Sequence, residues 1–254
     1  MNKMDFKFDT LLKEKDLDYH HRWSPHSVSS YENILKQGIM LSIDSSILKN
    51  VCYSLQYLEF INFEINQLKL HNIVNKMLYK TFIITSISII EALFYSILKD
   101  NSKIKKSNKR ELYRTISNPT NYNNNKLYVE SIVYETVEPY EIEMSFDSMI
   151  KKMEKGCYLD LSHNFFPFLK KFKDLRNRVH IHIAYGNKYE TDFWKFEEED
   201  FLFIKYILLN ILIDKKIIDD SKYYNGGELL VPKEYEFLLI NDSDKKKISE
   251  KYRR

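Results

Sequence analysis

Glycine and proline are scarce, five of each in 254 residues. So few chain-breakers leave little room for tight turns and favour long helices. Cysteine is scarcer still. Cys52 and Cys157 lie far apart with no CxxC partner, which argues against a disulfide framework or a cysteine-based zinc site. Charge of one sign is also lacking. The net charge of +3 does not suit a polycation that binds nucleic acid by bulk charge, although it allows a local basic patch. The Lys-rich runs at 103–106 and 245–247 are expected to be solvated surface. No Gly-rich phosphate loop, Gly-x-Ser-x-Gly or His-Glu-x-x-His is present, so the common nucleotide-binding, hydrolase and zinc-protease readings fall away. The opening Met1-Asn-Lys-Met-Asp-Phe-Lys lacks the apolar core of a signal peptide; a cytoplasmic location is expected. The one long apolar run, Thr81–Leu98, carries Glu91 and several Ser and Thr. A charge in mid-span is costly, so this run predicts a buried core helix and no membrane association.

Apolar and aromatic residues are plentiful, with 19 Tyr and 16 Phe, enough for a sizeable core. Residues 1–45 read as an irregular lead with one short helix near Ser30–Gln37. Within it, His20, His21 and His26 gather around Trp23. Their spacing fits no common zinc pattern and predicts a polar loop packed by the tryptophan. Leu55, Leu58, Ile61, Ile65 and Leu68 form one helical stripe, and Met77, Ile83, Ile84, Ile87, Ile90, Phe94 and Ile97 form another. His71-Asn72 is the expected break between two long helices. Asparagine-rich loops are expected over 100–125. The alternation in Lys126–Phe146, with a turn at Glu138-Pro139, predicts a β-hairpin inserted between core helices. A helix is expected to start at Ser162–Phe165, with Phe165, Phe168, Leu169, Phe172, Leu175 and Val179 on one face and a close at Ala184-Tyr-Gly186. Glu197–Asp219 reads as a further helix. Short strands are expected in Glu228–Ile240, and a frayed charged end from Asp242 to Arg254. Three segments follow: a lead over 1–45, a helical domain over 46–222 with its insertion at about 101–146, and a tail over 223–254.

The stretch that carries chemistry is Asp174-Leu-Arg-Asn-Arg-Val-His-Ile-His182. Arginine offers a fixed charge and a planar fork of donors for phosphate. Histidine exchanges protons near neutral pH. On an ideal helix Arg176 lies about 40° from the centre of the apolar face, and His182 about 80° to its other side and about 9 Å along the axis. Both should border a cleft or interface, since neither is cheaply buried alone. Asn177 and Arg178 point outward. His180 lies about 40° from Arg176 and competes with His182 on a straight helix. Glu91, the lone acid in the apolar run, is a candidate partner that would fix the Arg176 guanidinium, or else an acid at the edge of its helix.

Arg176-x5-His182, opened by an Arg-Asn pair, resembles the Arg-x(4–6)-His motif of the HEPN superfamily, and the Glu91-bearing apolar segment resembles an early helix of that family. The resemblance covers roughly 70–100 and 146–219. It implies a mainly α, up-and-down helical bundle with the small β-hairpin as an insertion. It further implies a metal-independent endoribonuclease, a toxin or antiphage-defence effector working without a cofactor. Arg176 would clamp the scissile phosphate. His182 would act as general acid or base, Asn177 would orient, and the product would be a 2′,3′-cyclic phosphate. His180, Glu91 and Arg178 are the supporting or alternative residues. The implied partners are RNA, a second copy of the chain in a homodimer, and an antitoxin or other defence-system protein. Many members carry four residues between Arg and His, which here would land on Ile181, so the match needs the five-residue version. Some members lack catalysis. The opposing expectation is therefore a helical module for dimerisation or for binding nucleic acid or a partner.

Overall fold

The computed structural model describes residues 23–36, 38, 44–123, 125–177, 195–218, 220–225 and 228–252. The chain is mainly helical. In order come α1 (Val28–Leu35), α2 (Ser45–Gln67), α3 (Asn72–Asp100), a β-arm, α4 (Phe146–Gly156), α5 (Phe165–Asn177), α6 (Glu198–Leu212), the short α7 (Asp220–Tyr223), a 3₁₀ turn (Lys233–Leu238) and α8 (Asp242–Tyr252).

The central element is α3. It packs against α2, α6, α4 and α5, and Phe82, Ile83, Ile87, Ile90, Leu93, Phe94 and Ile97 are all buried. Among the described residues this is the one helix long and apolar enough to cross a membrane. Most of its apolar window lies inside the bundle, as a core helix requires. It starts where the His71-Asn72 break predicts, with the His71 ring accepting from the Ile73 N–H. The predicted stripe of α2 is inward up to Ile65, while Leu68 is half-buried. Two positions of the predicted α3 stripe differ, since Met77 is exposed and Ile84 half-buried. On α6 the helically spaced Phe201, Ile204, Ile207, Leu208, Ile211 and Leu212 are all buried. An aromatic seam joins the layers: Phe82 and Tyr79 pack on Phe201, and Phe168 and Tyr252 pack on Phe203.

Several boundaries differ from expectation. The first helix is shifted to Val28–Leu35, because Ser27 caps it through its hydroxyl. The β-insertion begins earlier than its alternation suggests. Strand β1 (Lys106–Ile116) pairs antiparallel with β4 (Glu130–Glu141), and β2 (Thr120–Tyr122) with β3 (Asn125–Leu127) makes the tip. Glu138-Pro139 lies inside β4 instead of turning the chain. Helix α4 was not expected; Ser145 caps it, and it buries Phe146, Met149, Ile150 and Met153. Helix α6 stops at Leu212 instead of Asp219, and Asp214 caps the turn that follows. That turn passes Gly38 so closely that a Cβ there would lie 2.4 Å from the Ile217 carbonyl oxygen. Among the described residues of the predicted Glu228–Ile240 stretch only Glu228–Leu229 is strand, paired with Tyr224–Asn225 just ahead of it, and Lys233–Leu238 is a 3₁₀ turn with Tyr235 and Leu238 buried. The end predicted to fray instead forms α8, which buries Ile248 and packs on α6.

Candidate functional site

Helix α5 sets the motif. The Asn164 N–H donates to the Ser162 hydroxyl just ahead of it, so the predicted start holds. Phe166, Leu169, Phe172 and Leu175 are buried, and Phe165 and Phe168 pack half-buried on the core. This anchoring fixes the rotation of the helix and aims Arg176, in its last turn, towards α3. A second tie comes from Lys173. Its ammonium meets Asp147 of α4 at 2.9 Å. Bonds from Lys151 and Lys173 hold the Asp147 carboxyl down to about 2.

Arg176 meets Glu91 at 2.9 Å. The pair links the end of α5 to the middle of α3. Arg176 is 33% and Glu91 25% exposed, so the guanidinium is gripped from one side and open on the other. A cation at a helix C-terminus also suits the helix dipole. Asn177 follows and is exposed. Arg178, Val179, His180, His182 and the predicted close at Ala184-Tyr-Gly186 lie outside the described residues. The structure thus brings Arg176 and Glu91 together and sets Asn177 at the surface next to Arg176.

Beside the pair runs a groove of about 380 Å³ between α2, α3 and α4. Ile47, Val51, Ile89 and Met149 form its apolar walls, and Asn50, Ser54, Ser88 and Glu91 its polar rim. Sequence alone gives little sign of this groove, because Asn50 and Ser54 are two of many polar positions on the amphipathic α2 and Ser88 is one of several Ser and Thr on α3.

The histidine lead resolves into a packing device. Trp23 stacks on Phe63 of α2. The His26 ring and backbone N–H both meet the Glu59 carboxylate, at 2.9 and 2.8 Å. Tyr31 donates to the same group at 2.7 Å, and burial together with that carboxylate pushes the Tyr31 hydroxyl far above its usual range. His20 and His21 lie outside the described residues. Among the described residues no group of three or more His, Cys, Asp or Glu is arranged to hold a metal ion.

A buried polar cluster lies on the other side of α5. Asp200, 2% exposed, accepts from Lys171 at 3.2 Å, from Lys251 at 2.9 Å and from the Tyr252 hydroxyl. Burial raises the Asp200 carboxyl, but Tyr252, Lys251 and the charge of Lys171 outweigh it and leave it below its ordinary value. The cluster fastens α8 to α5 and to the start of α6, the two ends between which the remaining motif residues run. Set against family models, curated proteins and solved structures, the chain finds no match.

Proposed function

We propose that the chain is a metal-independent endoribonuclease of HEPN type acting as a toxin or antiphage-defence effector. The observation that carries this reading is the Arg176–Glu91 pair at the edge of an open groove. A carboxylate holding one side of the guanidinium leaves its other N–H donors free to grip a phosphate in a fixed orientation. Such a clamp stabilises charge developing on the phosphoryl oxygens. His182 takes the proton from the ribose 2′-hydroxyl or delivers one to the leaving 5′-oxygen. The 2′-oxygen then bonds to phosphorus as the P–O5′ bond breaks, giving a 2′,3′-cyclic phosphate and a 5′-hydroxyl. Asn177, adjacent and exposed, adds a hydrogen bond to the bound strand. The need for a 2′-hydroxyl selects RNA over DNA.

The test is cleavage of RNA by pure protein. Arg176→Ala and His182→Ala should each lower the rate at least about a hundredfold, the usual worth of a charge clamp or proton carrier. Cleavage should persist in excess EDTA. Wild-type rates in both variants, or loss in EDTA restored by Mg²⁺, would overturn the proposal. If His180→Ala alone is dead, the register moves by two residues and the chemistry stands. A second reading, a non-catalytic interaction module, draws support from the β-arm, where Tyr113, Ile116, Tyr122, Tyr128 and Val129 are all more than half exposed. Pure protein that binds RNA or a partner yet cuts nothing would favour it.

A further inference from the structure

The groove beside Glu91 has the features of a ligand site and no assigned occupant. Its volume of about 380 Å³ lies in the range of small-molecule clefts, about 300–1,000 Å³. Its lining is mostly apolar, with Asn50, Ser54, Ser88 and Glu91 as the polar members. Two of those groups are uncommitted. Among the described residues neither Asn50 nor Ser54 has a hydrogen-bond partner for its side chain. Glu91, which also lines the groove, gives one oxygen, Oε2, to Arg176, so its second oxygen, Oε1, has acceptor capacity to spare.

We propose that this groove receives an unpaired nucleobase bearing an exocyclic amine, from the nucleotide next to the phosphate held by Arg176. The proposal rests on the endoribonuclease reading and names the feature of the RNA that the same site selects. One carboxylate separates the two subsites: its Oε2 holds the phosphate clamp and its Oε1 faces the base. The base face lies against the half-buried Ile47, Ala92 and Tyr95, and the base edge meets Asn50 and Glu91. A carboxylate accepts from the exocyclic amine of adenine, cytosine or guanine, whereas uracil has no amine and offers only an N3–H set between two carbonyl oxygens that repel the carboxylate. The Asn50 amide can donate and accept, so it fits the ring nitrogen or carbonyl beside such an amine. Single-stranded RNA is the source, because only there are base edges free to enter.

The experiment measures binding, apart from cutting. Fluorescein-labelled 2′-O-methyl hexauridylate is compared with the same strand carrying one central C, A or G, by anisotropy with the His182→Ala protein. The amine-bearing strands should bind about tenfold tighter than the all-uridine one, the size of one good base-edge contact. Asn50→Ala, at an exposed position, should reduce that preference. Ser54→Leu, which fills the groove, should erase it without changing helix content. Equal binding of all four strands, no binding of any, or a preference that survives both variants would overturn the proposal. Capture of apolar peptides in place of nucleotides would do the same. Cleavage without base preference removes the groove and leaves the nuclease. A groove-dependent preference with wild-type cutting by Arg176→Ala removes the clamp and leaves the groove.

Discussion

Buried charge decides much at the residue scale. Lys205 is 6% exposed and donates to Asn62 at 2.9 Å, with its ammonium over the Phe201 ring. Burial lowers its ammonium from the usual 10.5 to about 8. The unfolded chain therefore binds more protons between those two values, and stability rises as pH climbs through that window. The full change is about 3 kcal/mol at the conversion of one unit to about 1.4 kcal/mol. Urea midpoints should increase from pH 7 to pH 10. Lys205→Met should raise the midpoint at pH 7 and flatten the increase; a Met variant with an unchanged pH slope would rule the account out. Asp200 has the opposite sign. Its carboxyl is held low, so its contribution is present at neutral pH and is lost as acid protonates it. Asp200→Ala removes the acceptor shared by Lys171, Lys251 and Tyr252 and should cost about 1–3 kcal/mol, read by urea denaturation. The Arg176–Glu91 pair was legible because a lone acid in an apolar run and an arginine near an apolar face must find partners. Asp200 was not legible. It sits among acids at a helix start, and its partners lie 29, 51 and 52 residues away.

At the scale of elements, the helices were read from spacing and the arm was misplaced for a physical reason. Strand β1 is exposed along almost its whole length. With no buried face, its sequence has no alternation for selection to impose. It is held by the ladder to β4 and by cross-strand ion pairs, Arg110 with Glu135 and Arg114 with Glu130. Both strands are edges, which is where a proline such as Pro139 is tolerated. Helix α8 went unread because Ile248 and Tyr252 are the two non-polar side chains packed on the core in a mostly charged segment, and its other ties are ion pairs to residues far away in the chain. The arm joins the bundle at its base, where Tyr95 and Lys99 both meet Glu141. Replacing 107–140 by a three-residue turn can span the gap of about 5 Å between paired strands. The shortened chain should keep its helical circular dichroism and melt within about 5 °C of the parent, since little core is removed. Collapse of the helical signal would show that the arm is part of the bundle's core.

For the whole molecule, the proposed chemistry asks for more than one chain offers. On an ideal helix running on past Asn177, Arg176 and His182 would lie about 9 Å apart along the axis, beyond joint hydrogen-bond reach of one phosphate. A two-fold contact beside α5 would set two such pairs across one cleft from a single self-complementary face. Mixing inactive Arg176→Ala and His182→Ala chains should then restore part of the activity, and light scattering should report a dimer. A fully active monomer would exclude the composite site.

The central position of α3 also sets a clock during synthesis. Its apolar faces are covered by α2, made before it, and by α6, which starts at Glu198, about a hundred residues after α3 ends at Asp100. At about 5–20 residues per second, the ribosome leaves one greasy side of a membrane-length helix waiting on the order of 5–20 s. Part of that interval is spent making an arm that meets α3 at its base, where Tyr95 and Lys99 bond Glu141.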